Sequence, residues 1–106
     1  MGKEEFYLEK VDEDLEPIIV QFMENTREEI EDMRKAISNK DLETLRRLGH
    51  GTKGAALGYG MQNMAELGRE IQFLAEDNKL EELAGMVDKL DDYIANVQIE
   101  CVEMED

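Results

Sequence analysis

Across residues 80–104 the apolar side chains Leu80, Leu83, Val87, Leu90, Ile94, Val97, Cys101 and Met104 recur at intervals of three and four, with mostly acidic and polar residues between them. An α-helix of about 3.6 residues per turn gathers such a set onto one narrow stripe, and that stripe must be buried against another element. Carried through to Met104, the seam spans nearly four heptads. A chain with this segment has to supply helical partners for it, from itself or from a second copy.

Three earlier stretches carry the same period. Leu15, Ile18, Phe22, Ile30, Met33 and Ile37, widened by Ile19 and Met23, predict a long first helix; Pro17 suits its first turn, and Asp12, Glu13, Asp14 and Glu16 place negative charge at the positive end of its dipole. Leu42, Leu45, Leu48, Thr52, Ala55, Ala56 and Tyr59 predict a second, with capping side chains before it in Ser38, Asn39, Lys40 and Asp41 and a glycine-rich stop at Gly58, Tyr59 and Gly60. Met64, Leu67, Gly68, Ile71, Leu74 and Ala75 predict a third, and Asn78 with Glu81 reads as a variant capping box opening the fourth. Short polar breaks force successive helices to reverse, so residues 12–106 are expected to form an all-α, antiparallel up-down four-helix bundle without strands. Residues 1–11 read either as a short packed helical turn including Phe6, Tyr7 and Leu8 or as a disordered lead. A monomer is expected, with a coiled-coil dimer through the last helix as the alternative.

At 106 residues the chain has room for one hydrophobic core and none for a nucleotide-binding domain besides. Twelve basic residues against 27 acidic ones give a formal charge of -15, which argues against nucleic acid and anionic membranes as partners. The lone Cys101 has no partner for an intramolecular disulfide, and one Cys with one His is too few for a zinc site of the usual kind, so no metal is expected. No run approaches the roughly 20 apolar residues of a membrane span, and the N-terminus does not read as a signal peptide, so the expected compartment is the cytoplasm.

His50, the single histidine, opens the run His50, Gly51, Thr52, Lys53, Gly54. On the second helix the imidazole lies about 140° from the core direction and should face water. Arg46, Lys53, Gly54 and Leu57 share that surface, and Arg46, Arg47 and Lys53 make it a basic island suited to a group of charge near -2 on the ring. The alternative is that Arg46 and Arg47 are ordinary surface residues and His50 a spectator. Gly49, Gly51 and Gly54 each cost a helix about 1 kcal/mol against alanine. An outward Gly54 would let another protein approach the imidazole, whereas close helix packing at Gly49, or flexibility, is the competing account.

These residues resemble the histidine-containing phosphotransfer domains of two-component phosphorelays: histidine, two residues, lysine, glycine, and a further glycine six positions on, here His50, Lys53, Gly54 and Gly60. Thr52 and Ala55 depart from that pattern, which has a large apolar residue and a small hydroxyl residue in those places. The resemblance covers residues 12–98 and implies a four-helix bundle with the histidine exposed on its second helix. It implies that His50 is the phosphoacceptor, that Lys53 balances phosphoryl charge, and that Gln72 accepts a hydrogen bond from the imidazole. Arg46, Arg47, Gly54 and Leu57 would form the docking patch, to which the outward-pointing Phe73 could add. The implied protein is a phosphocarrier rather than an enzyme, with no kinase activity of its own. It would take phosphoryl from one response-regulator receiver domain and pass it to another, the receiver bringing the magnesium. The competing readings are a phospho-accepting substrate domain for a chemotaxis-type histidine kinase, and a helical interaction module whose histidine is silent.

Overall fold

The structure is a computed structural model and describes residues 7–103. In chain order it contains strand β1 (Leu8–Asp12), one 3-10 turn (Glu13–Leu15), helices α1 (Glu16–Ser38), α2 (Leu42–Tyr59), α3 (Gln62–Glu76) and α4 (Leu80–Asn96), and strand β2 (Gln98–Val102). The helices form the antiparallel up-down bundle that their stripes predict. Phe22, early in α1, stacks on Tyr59 at the end of α2 with ring centroids 4.2 Å apart. Arg34, late in α1, reaches Asp88 and Asp91 of α4 at 2.8 and 2.9 Å and closes the ring of helices.

The core collects Ile30 and Met33 of α1, Leu45 and Ala56 of α2, Met64 and Ile71 of α3, and Leu83, Val87 and Leu90 of α4, all at most 2% exposed. Each large aliphatic among them contributes about 1.5–3 kcal/mol by leaving water. Because Leu83, Val87, Leu90 and Ile94 are covered inside the bundle, the stripe that a coiled-coil partner would need is already occupied.

One turn geometry is used three times. Asp41 N donates to Ala36 O at 2.8 Å, Met61 N to Ala56 O at 2.9 Å and Lys79 N to Leu74 O at 2.9 Å, each around a left-handed residue: Lys40 at φ 56°, Gly60 at φ 80° and Asn78 at φ 57°. This hydrogen-bonded stop satisfies the last carbonyls of a helix and turns the chain sharply. Gly60 therefore plays the part expected of the glycine-rich stop. Asn78 does not: it closes α3 instead of capping α4, whose preceding residue Lys79 makes no side-chain cap. Asparagine tolerates positive φ better than most residues, and the turn uses it for that.

Three other expectations are corrected. Residues 8–12 form neither a helical turn nor a disordered lead. They pair in parallel with β2, Leu8 opposite Gln98 through Asp12 opposite Val102, and the short helical turn falls after them, at Glu13–Leu15. α4 stops at Asn96, so Val97 and Cys101 are not helical; Val97 is extended at φ -67°, ψ 139°, and Val97, Ile99 and Val102 suit the strand that follows. Their three-and-four spacing with the preceding stripe is incidental. Met104 and Phe6 lie outside the described residues. In α1 the seam runs through Ile19, 6% exposed, while Ile18 is 49% exposed, and Ala55 of α2 is likewise on the surface. With Ile18 and Ile19 adjacent, the period alone did not choose between them.

β1 alternates: Glu9 and Val11 point into the bundle while Leu8 and Lys10 point out. The buried Glu9 carboxylate accepts from Asn63 N at 3.0 Å, Met64 N at 3.3 Å and Tyr93 Oη at 2.7 Å. Residues 62–64 open α3, whose own cap residue Met61 supplies no side-chain bond, so the strand provides the N-cap from 54 residues away. Burial, with the bond to Glu9 next, pushes the Tyr93 phenol up.

Candidate functional site

α2 is started by Asp41, whose carboxylate accepts from Thr44 N at 3.1 Å and Thr44 Oγ1 at 2.6 Å; these bonds hold its carboxyl below the usual range. From there Leu45, Gly49, Thr52 and Ala56 fall on the buried side, and His50 emerges on the surface beside Gly49. The imidazole is exposed, and its Nδ1 lies 3.3 Å from Oε1 of Gln72 on α3. The Gln72 amide nitrogen donates onward to Glu76 Oε2 at 3.0 Å.

Two glycines make this pairing reachable. A Cβ on Gly49 would stand 2.7 Å from Gln72 N and 2.9 Å from Gly68 O, and a Cβ on Gly68 would stand 2.7 Å from Lys53 N and 2.9 Å from Gly49 O. The backbones of α2 and α3 therefore touch where any side chain would hold them apart. Gln72, one turn beyond Gly68, is carried to His50 by that contact. Of the competing accounts of the glycines, close packing describes Gly49. Gly51 and Gly54 have open space where a Cβ would be, so packing does not require them.

The other candidate residues divide. Lys53 is half-buried one turn after His50 and enters no ion pair among the described residues. Gly54 is exposed beside it, and Leu57 is 54% exposed a further turn on. Arg46 is engaged instead: its Nε and Nη2 donate to the two oxygens of Glu43 at 3.2 and 2.6 Å. That pair raises the guanidinium pKa and lowers that of Glu43. Arg47 is exposed and lines the cleft between α1 and α2 with Asp32, Lys35 and Asp41. Phe73 is 45% exposed, with the Arg69 guanidinium 5.4 Å from its ring centre.

The basic island is thus smaller than the run from Arg46 to Lys53 implies, because Glu43 one turn earlier neutralises Arg46 and Glu76 enters from α3. Both were legible as helical i,i+3 and i,i+4 pairs, Glu43 with Arg46 and Gln72 with Glu76. Glu9 and its partners had no such local signal. Among the described residues no group of three or more His, Cys, Asp or Glu is placed to hold a metal ion, and no helix is long and apolar enough to cross a membrane.

A helical bundle that presents its histidine ring outward, one turn from an ammonium and a bare stretch of helix, has the layout for offering one side chain to another protein. The chain belongs to the Hpt domain family, whose model matches residues 17–100. Hpt domains are phosphocarriers that serve histidine phosphotransfer in phosphorelays, where they meet receiver domains and kinases. Neither the curated proteins nor the solved structures include a match to the chain. The family match begins after β1, so the strand that caps α3 lies outside it.

Proposed function

We propose that this protein is a cytoplasmic phosphorelay intermediate in which His50 accepts a phosphoryl group from the aspartyl phosphate of one receiver domain and passes it to the aspartate of another. The observation that carries the reading is the Gln72 contact on Nδ1 of an otherwise exposed ring, which engages one nitrogen and leaves the other facing outward. With the proton on Nδ1, neutral imidazole is a capable nucleophile near pH 7. Nε2 forms the N–P bond as the acyl-phosphate P–O bond breaks and the receiver's carboxylate departs, while the ring proton stays on Nδ1 against Gln72. Transfer to the second receiver is the same exchange run toward a new carboxylate.

In this reading Lys53 balances the phosphoryl charge, while Gly54 and Leu57, flanked by Arg46 and Arg47, form the patch on which the receiver seats. Arg46 would exchange Glu43 for the phosphoryl group or a receiver carboxylate. The receiver brings the magnesium and most of the catalytic machinery, and this chain has no ATP-dependent kinase activity. Incubation with a panel of phosphorylated receivers tests the proposal. Label should appear on the wild type and be absent from His50→Gln with helicity unchanged. Transfer to the variant would remove the assignment. Labelling by a histidine kinase but by no receiver would replace the relay with the kinase-substrate reading, and no labelling by either would leave an interaction module.

A further inference from the structure

We infer that Glu76 is a positioning residue for the phosphoacceptor: through Gln72 it selects which nitrogen of His50 carries the proton. The inference rests on the reading of His50 as a nucleophile, and it concerns how the ring is prepared rather than what it reacts with.

A glutamine amide has a donor end and an acceptor end, and turning it over exchanges them. His50 alone does not choose between them, because neutral imidazole can donate to the amide oxygen from Nδ1–H or accept from the amide nitrogen at a bare Nδ1. An ionised carboxylate only accepts. Glu76, one turn after Gln72 on α3, takes the amide nitrogen at 3.0 Å, and the oxygen must then face Nδ1, where it lies at 3.3 Å. Turned over, the amide would set its oxygen against a carboxylate oxygen and lose that bond. With the oxygen facing the ring, Nδ1 has to be the donor, and the free lone pair sits on Nε2, the outward nitrogen. A histidine in water prefers the opposite tautomer, with the proton on Nε2, so the selection runs against the ring's own preference.

Glu76 is also held in position from α2. Arg46 lies near enough for the two charges to attract, although its hydrogen bonds go to Glu43. The i,i+4 spacing makes the Gln72–Glu76 pair legible but not this role, since the histidine that the pair meets stands on another helix.

The test is a long-range 1H–15N spectrum of the His50 ring in the full-length protein, above the imidazole pKa and without any partner. The wild type should show protonated Nδ1 and bare Nε2. Glu76→Ala should move the ring toward the Nε2–H form with helicity unchanged, and Glu76→Gln, which keeps an acceptor oxygen but adds a donor, should fall between the two. Transfer from a phosphorylated receiver should slow about two- to fivefold in Glu76→Ala, following the fraction of rings left in the competent tautomer. A wild-type tautomer in Glu76→Ala overturns the inference. So does an unchanged tautomer in Gln72→Ala, which would remove the Gln72 contact along with it. The tautomer is read without receivers, so its outcome is separable from whether His50 takes phosphoryl at all.

Discussion

Gly49 and Gly68 bring the backbones of α2 and α3 into direct contact: a Cβ on either would lie 2.9 Å from the carbonyl oxygen of the other. The histidine and the glutamine that meets it stand on opposite sides of this crossing. The width of the crossing therefore sets whether a side chain of glutamine's length can reach the imidazole.

Replacing Gly68 with alanine should force the helices apart, because the new methyl meets Lys53 N at 2.7 Å, which is backbone and cannot rotate away. We expect a loss of about 2 kcal/mol after allowing for alanine's better helix propensity, with the His50–Gln72 bond broken in the folded fraction. Gly85→Ala on α4, where a Cβ meets nothing, should instead stabilise by about 1 kcal/mol. Urea titration of the two variants checks the pair, and equal effects would refute the crossing as the cause.

Gln72→Ala should fold normally and transfer phosphoryl about tenfold more slowly, since orientation is lost while the nucleophile remains. Single-turnover transfer from a phosphorylated receiver measures this. An unchanged rate would assign Gln72 to structure alone.

Glu9→Ala should cost about 2–4 kcal/mol, because Asn63 N, Met64 N and Tyr93 Oη all lose their acceptor in a buried place. Thermal unfolding reads the loss. A change under 1 kcal/mol would mean that water replaces the carboxylate and that β1 contributes little to holding α3 in place.

Tyr93 adds a pH dependence whose sign follows from its raised pKa. Below about pH 10 the phenol is protonated both folded and unfolded and contributes no slope. Above that the unfolded chain releases the proton while the folded protein retains it, so stability falls by about 1.4 kcal/mol per pH unit. Tyr93→Phe should flatten this alkaline slope and lower stability at neutral pH. Denaturant midpoints between pH 8 and 11 test both parts.

Thr52 is 2% exposed, and its Oγ1 has no hydrogen-bond partner among the described residues. Thr52→Val keeps the shape and removes the unpaired hydroxyl, and should stabilise by about 1 kcal/mol in the same urea titration. Thr26 makes the contrast, since its buried hydroxyl donates to Phe22 O at 3.0 Å and its replacement by valine should give no such gain.

The legible part of this protein was periodic. Leu45, Thr52 and Ala56 pointed inward and His50 outward because a residue's direction on a helix depends on its neighbours within a few turns. The same reasoning misplaced Ile18, where two adjacent isoleucines fit the stripe equally, and extended α4 through Cys101, where a helical spacing persisted into a strand. Gly60 was read correctly as a stop because glycine's freedom at positive φ is intrinsic to the residue. Asn78 was misread because the same side chain serves either end of a helix.

The amino-acid order alone therefore determined four amphipathic helices, their reversals, and a histidine turned to solvent one turn from a lysine and a glycine. Tertiary structure decided what that histidine touches. The Gln72 contact spans 22 residues, and the Glu9 bonds to α3 and to Tyr93 span 54 to 84. Contacts at such separations depend on how closely whole helices pack, which local periodicity does not specify and which here comes down to two missing methyl groups.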